Sequence, residues 1–226
     1  MAEILYEDNH IIAVYKRSSD LAQSDRTGDA PLDVEVKKYI AEKYKKPGEV
    51  FLGVVHRLDR PVSGVMLFAR TSKALSRLNE MFKTREVKKI YYAIVKDRPP
   101  EDEATLTHYL KKNEAQNKSY VYDTEVKGSK LASLTYRLKG RSEKYYLLEV
   151  ELHSGRHHQI RAQLAKIGCP VKGDLKYGFA RSNEDGGISL FARRLEFIHP
   201  VKKETITITA HFPEGDIWSV FVDAVV

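Results

Sequence analysis

Apolar residues recur at every third or fourth position in two stretches of the chain, which is the spacing of an amphipathic helix. In the first stretch they follow Pro31 and alternate with Lys and Glu: Leu32, Val36, Ile40 and Tyr44. The pair Pro47-Gly48 predicts that this helix ends before it. A second helix is predicted over 72–82, with one apolar face formed by Leu75, Leu78 and Phe82.

Apolar and polar residues alternate with a period of two in four other segments, which predicts β-strands. These segments are KIYYAIV (89–95), SLTYRL (133–138), YYLLEVEL (145–152) and TITITA (205–210). Gly128-Ser129 and Gly140 predict turns, and PPEDEA (99–104) predicts a flexible surface loop. Because strands and helices come in irregular order, we expect an α+β fold, a largely antiparallel mixed sheet with flanking helices.

The length and charge of the chain limit its organisation and its partners. At 226 residues it can bury a sizeable core, so we expect one compact domain or two closely joined lobes. The 38 Lys and Arg residues exceed the 31 Asp and Glu residues, which gives a formal net charge of +7. This excess favours a polyanionic partner such as a nucleic acid.

Other features of the composition exclude several classes of protein. Cys169 is the only cysteine, so an internal disulfide is excluded, and no Cys or His cluster has the spacing of metal ligands. The N-terminal stretch MAEILYEDNH lacks the features of a secretory signal, and no segment has the ~18 apolar residues of a membrane span. We therefore expect no metal, no membrane association and a cytoplasmic location.

One carboxylate stands between two arginines in the stretch VVHRLDRPVSG (54–64). Asp59 lies between Arg57 and Arg60, and Pro61 and Gly64 follow this group. Nearby guanidinium groups favour the ionised form of a carboxylate and orient it. The residues alone leave two interpretations open, a structural ion pair or a catalytic Asp.

A second dense group of polar residues lies in HSGRHHQIRAQLAKIGCPVKGDLKYG (153–178). Its apolar residues share one helical face before Gly168, so we expect a turn that leads into a helix over 155–167. Arg161 lies on another face with His157. The adjacent His157 and His158 lack a third ligand at helical spacing, which favours solvated or phosphate-facing side chains over a metal pair. We expect this segment and the Asp59 segment to converge on one basic central cleft, with the two lobes on either side.

These motifs, in this order, resemble those of the RluA-type family of RNA pseudouridine synthases over nearly the whole chain. HRLDRPVSG is similar to the family's HRLD-x-x-(T/S)-S-G motif, and residues 89–95 are similar to its K-x-Y-x-A-x-V strand. SGRHHQIRAQLAKIGCPVKGDLKYG resembles G-R-x-H-Q-I-R-x-H-L with a G-D-x-x-Y-G tail, and LFARRLEFIHP (190–200) resembles the closing motif L-H-A-x-x-L-x-F-x-H-P. The resemblance implies that Asp59 is the catalytic residue, Tyr91 the active-site tyrosine and Arg161 the partner of the aspartate.

The chain departs from the family's pattern at a few positions. Lys16-Arg17-Ser18-Ser19 stands in place of the K-P-x-G element, Gln163 replaces a common His, and Asp97 replaces a frequent Gly. Phe191 replaces the usual His of the closing motif. None of these changes affects the three implied catalytic positions.

The resemblance implies an isomerase that converts uridine in RNA to pseudouridine. The reaction breaks the N1–C1′ bond, turns the base and joins it through C5, so it requires neither metal nor cofactor. Asp59 serves as nucleophile, base or electrostatic stabiliser at C1′. Tyr91 stacks on the detached uracil, and alternation along the strand places Tyr92 on the packed side with Ile90 and Ile94. The target uridine has to be flipped out of its stack, and Arg57 is expected to fill the space it leaves.

The expected partner is ribosomal RNA or transfer RNA, bound by a monomer. The residues predicted to bind RNA are His56, Arg57, Arg60, Lys89, Arg156, His158 and Gln159. Residues 1–226 are expected to form the catalytic domain, without a separate N-terminal S4 RNA-binding domain. Two alternatives remain: an RNA-binding module without catalysis, favoured by the basic charge, and a nucleoside or glycoside hydrolase that uses Asp59.

Overall fold

The computed structural model describes residues 2–22 and 31–222 and divides into two compact units. Of the described residues, unit 1 contains 2–22, 31–88 and 192–211, and unit 2 contains 89–191 and 212–222. Two compact units match one of the two arrangements expected from the length of the chain. The basic cleft stays a prediction, as does a single catalytic domain over 1–226, part of which falls outside the described residues.

The elements follow one another in irregular order. The helices are α1 (Leu32–Lys43), α2 (Ser72–Thr84) and α3 (Gln159–Lys166). The strands of unit 1 are β1 (Glu3–Glu7), β2 (Ile11–Lys16), β3 (Gly53–Val54), β4 (Ser63–Ala69), β10 (Leu190–Ile198, mostly in this unit) and β11 (Thr205–Thr209). Those of unit 2 are β5 (Lys88–Val95), β6 (Glu103–Asn113), β7 (Lys118–Tyr122), β8 (Lys130–Arg141) and β9 (Tyr146–Leu152).

In unit 1 the strands lie in the order β1-β2-β4-β10, with β3 paired to β4 and β11 paired to β10. The pairings β1–β2, β2–β4, β3–β4 and β10–β11 are antiparallel. Every residue of β2 and of β4 is buried, because both faces of these central strands are covered. Helix α1 covers one face and packs Leu32, Val36 and Ile40 into a cluster with Ile12, Val14, Met66 and Phe68.

Gly64, in the SG end of the HRLD motif, is required by the packing of β4. Its φ angle is +119°, and a Cβ atom at this position would overlap the backbone of Ala192 in β10. A side chain here would be both strained and sterically excluded. The glycine of this motif therefore allows close packing of two strands directly after the Asp59 loop.

In unit 2 the strands lie in the order β5-β9-β8-β6-β7, and the pairings β5–β9, β9–β8, β8–β6 and β6–β7 are antiparallel. Helix α3 packs on one face of this sheet, where Ala162 contacts Leu110 and Ala132. Tyr91 is paired with Val150, which in turn is paired with Tyr136. Paired residues share a face of the sheet, and Tyr136 shares its face with Ala132, four residues earlier in the same strand. Tyr91 therefore lies on the face that carries α3.

Tyr92 points to the opposite face of the unit 2 sheet. It is paired with Glu149, and its ring stacks on Phe212 with centroids 5.5 Å apart. Phe212 also approaches Trp218, so this face is covered by aromatic side chains near the C-terminus. The predicted alternation of Tyr91 and Tyr92 is therefore confirmed.

The predicted helices and strands are present, with shifted ends. The turn predicted at Gly140 is wrong, because Gly140 lies within β8 at an irregularity in its pairing with β9. Helix α2 extends two residues beyond the predicted end, and α3 begins at Gln159 after a turn over residues 155–158. The last two residues of the predicted loop PPEDEA belong to β6, which begins at Glu103, so the loop is shorter than predicted. The α+β class and the largely antiparallel pairing are confirmed. Within the described residues, each helix is too short or too polar to cross a membrane.

Candidate active site

Asp59 lies in a tight turn between β3 and β4. The backbone N–H of Val62 donates to the carbonyl of Asp59 at 3.0 Å, and β4 begins one residue later. Leu58 is buried, Asp59 is half-buried, and Arg57 and Arg60 are exposed. The turn thus holds one carboxylate near the surface with the two flanking arginines in solvent.

Lys16 fixes this turn from the end of β2. Its side chain is fully buried, and its Nζ donates to the carbonyl oxygens of Arg17 (2.9 Å), Arg60 (2.9 Å) and Val62 (2.8 Å). Burial lowers the pKa of Lys16 to about 8, and the charges of Asp20 and Asp59 oppose this shift. Lys16 was not predicted as a site residue. The only indication in the sequence was its position at the start of the K-P-x-G-like element.

His56 connects the HRLD segment to two neighbouring elements of unit 1. Its Nε2 accepts a hydrogen bond from the backbone N–H of Leu67 in β4 at 3.1 Å. Its ring stacks on Phe82 of α2, with centroids 5.1 Å apart and an interplanar angle of 16°. These contacts favour a structural role for His56 over the predicted role in RNA binding.

Gln159 at the start of α3 also connects neighbouring segments through its side chain. Its Oε1 accepts hydrogen bonds from the Ser154 hydroxyl (2.8 Å) and from the backbone N–H of Arg156 (3.0 Å). Its Nε2 donates to the carbonyl of Ser133 at 3.0 Å. The buried amide therefore joins the turn before α3 to β8, which favours a structural role for this predicted RNA-binding residue.

Arg161 forms a buried bidentate ion pair with Asp174. Its Nε lies 2.6 Å from Oδ2 and its Nη2 lies 2.9 Å from Oδ1. Only 5% of the Arg161 side chain and 1% of the Asp174 side chain are exposed. Asp174 therefore fixes the plane of the guanidinium through two of its nitrogens. Asp174 belongs to the GDLKYG segment but was not among the predicted site residues.

His158 precedes α3 with a left-handed backbone, at φ 52°. It is buried, stacks on His157, and its Nδ1 lies 3.0 Å from the Tyr177 hydroxyl, which accepts from the backbone N–H of Ser119 at 2.8 Å. Burial, with the nearby charges of Arg161 and His157, lowers the pKa of His158 to about 2. His158 is therefore neutral at physiological pH and does not bind phosphate as a cation.

The remaining predicted residues differ in exposure. Tyr91 and Lys89 in β5 are buried, at 8% and 7% exposed. Arg156 lies at the surface and donates from Nε to the carbonyl of Leu131 at 3.0 Å. The structure thus places Tyr91 and Arg161 in unit 2, on one face of its sheet, and Asp59 in unit 1.

The described residues contain no group of three His, Cys, Asp or Glu side chains arranged to hold a metal ion. Cys169 is buried, and this burial raises the pKa of its thiol to about 11. The thiol is therefore protonated at physiological pH and is a poor nucleophile.

A family model and individual relatives of known name both match this chain. The model of the RNA pseudouridylate synthase family matches residues 10–166. The tRNA pseudouridine synthase C of Pectobacterium carotovorum subsp. carotovorum is 28% identical over 94% of this chain and 59% of its own length. The ribosomal large subunit pseudouridine synthase D of Xylella fastidiosa is 32% identical over 94% of this chain and 66% of its own length.

A solved structure shares the fold. Human RNA pseudouridylate synthase domain containing 4 superposes with a TM-score of 0.80 at 20% sequence identity, covering 98% of this chain and 91% of that chain. At this identity the likeness concerns the fold alone. It covers the elements that carry Asp59, Tyr91 and Arg161.

The Arg161–Asp174 pair predicts a large loss of stability when one partner is neutralised. Asp174→Asn leaves a buried guanidinium without its counter-charge, so we expect the free energy of unfolding to fall by about 3 kcal/mol or more. Urea denaturation measures this change. Asp123→Asn is the matched control, because Asp123 pairs with Lys166 at 3.0 Å with 70% of its side chain exposed, and its loss should cost below about 1 kcal/mol. Equal losses of unfolding free energy in the two variants would contradict the stabilising role assigned to the buried Arg161–Asp174 pair.

Proposed function

Because the chain belongs to the RNA pseudouridylate synthase family, a family of isomerases that convert uridine in RNA to pseudouridine, we propose that Asp59, Tyr91 and Arg161 carry out this reaction here. The observation that supports the proposal most strongly is the buried guanidinium of Arg161, which Asp174 holds on the sheet face that carries Tyr91. A charged side chain kept in such a position at a cost in desolvation is typical of a functional site.

The proposed reaction begins at C1′ of the target uridine. The Asp59 carboxylate acts there as nucleophile or as electrostatic stabiliser while the N1–C1′ bond breaks, and the electron pair of that bond leaves with the uracil. The base then turns, C5 bonds to C1′ and releases Asp59 from any bond it has formed there, the proton on C5 is lost, and N1 takes up a proton. Atoms and electrons balance within the nucleotide, so a single carboxylate on a well-fixed turn is sufficient. Lys16 provides this fixation through the backbone carbonyls of Arg60 and Val62.

We propose that Arg161 orients the Asp59 carboxylate through the guanidinium edge opposite Asp174. An arginine can hold two carboxylates at once because its five N–H donors lie in one plane. Asp174 fixes the plane of the guanidinium, and the Nη1 edge then donates to Asp59. In this arrangement Arg161 positions the carboxylate and does not transfer a proton.

We propose that Tyr91 stacks on the detached uracil and that its hydroxyl takes part in removing the C5 proton. Its burial beside Val150 fits a residue that closes a pocket for one flat base. The neighbouring Tyr92, with its hydroxyl 3.5 Å from Glu149, belongs to the opposite face.

The proposed substrate is a uridine in structured transfer RNA or ribosomal RNA. The names of the two relatives divide between these classes, one acting on tRNA and one on the large ribosomal subunit. The exposed positions of Arg57 and Arg60 fit contacts with RNA phosphates, and that of Arg57 also fits a side chain that fills the space left by a flipped nucleotide. A monomer acting in the cytoplasm stays a prediction.

The proposal predicts that Asp59→Asn folds and binds RNA but makes no pseudouridine. The measurement is tritium release from RNA transcribed with [5-³H]uridine, together with filter binding of the same RNA. Asp20→Asn is the matched control, because Asp20 also acts on the buried Lys16 amine but stands outside the HRLD motif. Turnover by Asp59→Asn above the background of the preparation would contradict the role of Asp59. Free uracil released by the wild type would instead assign a hydrolase.

The alternation of Tyr91 and Tyr92 predicts that the same substitution, Tyr to Phe, slows pseudouridine formation at Tyr91 and has little effect at Tyr92. Tyr91→Phe keeps the ring and removes the hydroxyl, so RNA binding should be retained while pseudouridine formation falls by about 100-fold if the hydroxyl aids proton removal. Tyr92→Phe should change turnover less than twofold, because its hydroxyl lies on the other face. Single-turnover rates and RNA affinity measured on both variants check this prediction. A slow Tyr92→Phe enzyme beside an unaffected Tyr91→Phe enzyme would reverse the assignment.

A further inference from the structure

The outward face of the β6–β7 hairpin in unit 2 carries aromatic and basic side chains in alternation. Three cross-strand pairs define it: Tyr109 with Tyr122, Lys111 with Tyr120, and Asn113 with Lys118. Leu131 of β8 is paired with Tyr109 and extends the same face. These seven residues are called the hairpin face below.

Two of the three aromatic members of the hairpin face are open to solvent. Tyr120 is 40% exposed and Tyr122 is 37% exposed, whereas Tyr109 is half-buried. The aliphatic Leu131 beside them is 46% exposed. The other face of the same strands packs against α3 through Leu110 and Ala132. Two large rings therefore stand side by side on a flat sheet surface, where they can stack on planar groups of a partner.

The charges of the hairpin face favour an anionic partner. Lys111 and Lys118 are its charged members, and none of the seven residues carries a carboxylate. The nearby carboxylates of the hairpin, Glu114 and Asp123, pair with lysines outside the set, Lys112 and Lys166. Arg156 adds a third cation at the edge of the face, because its Nε donates to the carbonyl of Leu131 at 3.0 Å.

The hairpin is firmly joined to the segment that carries Arg161. Ser119 lies between Lys118 and Tyr120 and points to the opposite side of the strand, where its hydroxyl lies 2.9 Å from Nδ1 of His157 and donates to the His157 carbonyl at 2.7 Å. The Lys118 ammonium lies 5.8 Å from the ring centroid of Tyr120 and 5.1 Å from that of Tyr177. The hairpin is thus joined directly to the proposed catalytic segment of unit 2, and the hairpin face lies on the side of the sheet opposite Tyr91 and α3.

We propose that the hairpin face binds an unpaired segment of the RNA substrate, with bases stacked on Tyr120 and Tyr122 and phosphates contacting Lys111, Lys118 and Arg156. This inference rests on the proposed function and deepens it, because it assigns the enzyme a substrate with an unpaired segment in addition to the target uridine. Aromatic rings interleaved with cations on an open sheet are the means by which proteins bind single-stranded RNA. A continuous duplex would offer phosphates to the cations but no exposed base to the rings.

The test compares the affinity of the full chain and its variants for a labelled oligouridylate of about twelve nucleotides and for a blunt RNA duplex of similar length. The double variant Tyr120→Ser/Tyr122→Ser removes both rings, and Tyr120→Phe/Tyr122→Phe keeps them. We expect the serine variant to bind the oligouridylate at least about tenfold more weakly and the phenylalanine variant to bind it like the wild type. Duplex affinity should change less than twofold in both. Tyr44→Ser, at an equally exposed tyrosine of unit 1 (42%), is the control and should leave oligouridylate binding unchanged.

The outcomes separate this inference from the proposed function. Oligouridylate binding by the serine variant equal to that of the wild type would overturn the inference, even if the wild type makes pseudouridine. Selective loss of that binding in a chain that makes no pseudouridine would support the hairpin face and contradict the proposed reaction. A protein partner lost in the serine variant, with RNA affinity unchanged, would assign the face to protein binding and overturn the RNA inference. Circular dichroism and the unfolding midpoint confirm that each variant is folded.

Discussion

The Arg161–Asp174 ion pair is the constraint on which the proposed site depends. A guanidinium with only 5% of its side chain exposed has lost most of its hydration, and Asp174 compensates by binding two of its nitrogens at 2.6 and 2.9 Å. In unit 1 the buried amine of Lys16 donates to three backbone carbonyls, two of them in the Asp59 turn (Arg60 and Val62) and one at the adjacent Arg17. Each unit therefore contains one buried cation whose hydrogen bonds fix a segment that carries a proposed catalytic residue.

Many residues of the motifs serve the fold, and this leaves few for the chemistry. His56 accepts a backbone hydrogen bond and stacks on Phe82, and Gln159 joins the start of α3 to β8. Gly64 allows β4 to approach β10. A motif is thus a local structural unit that presents one or two reactive side chains, and its other members cannot be assigned to RNA contacts from their polarity alone.

The parts of the structure that could be predicted are those in which a local pattern determines the element. Amphipathic spacing predicted α1 and α2, and alternation predicted β5, β8, β9 and β11, whereas β2 and β4 are buried on both faces and show no alternation. The positions of Asp59, Tyr91 and Arg161 came from ordered motifs. Asp174 was missed because its partner lies thirteen positions away in the chain, and a carboxylate in a surface-like segment gives no indication that it is buried. The end of the PPEDEA loop was misplaced because β6 begins with polar, exposed residues.

A double-mutant cycle on the rate of pseudouridine formation tests most directly whether the buried ion pair serves catalysis. Single-turnover rates would be measured with saturating enzyme for Arg161→Lys, Asp174→Asn and the double variant, at a temperature where all are folded. Lysine keeps the charge but loses the planar fork, so each single change should slow the reaction by about 100-fold through misplacement of the Asp59 carboxylate. If Asp174 acts through Arg161, the double variant should be no slower than the slower single variant. Losses that multiply in the double variant, or a single variant with the wild-type rate, would contradict the account.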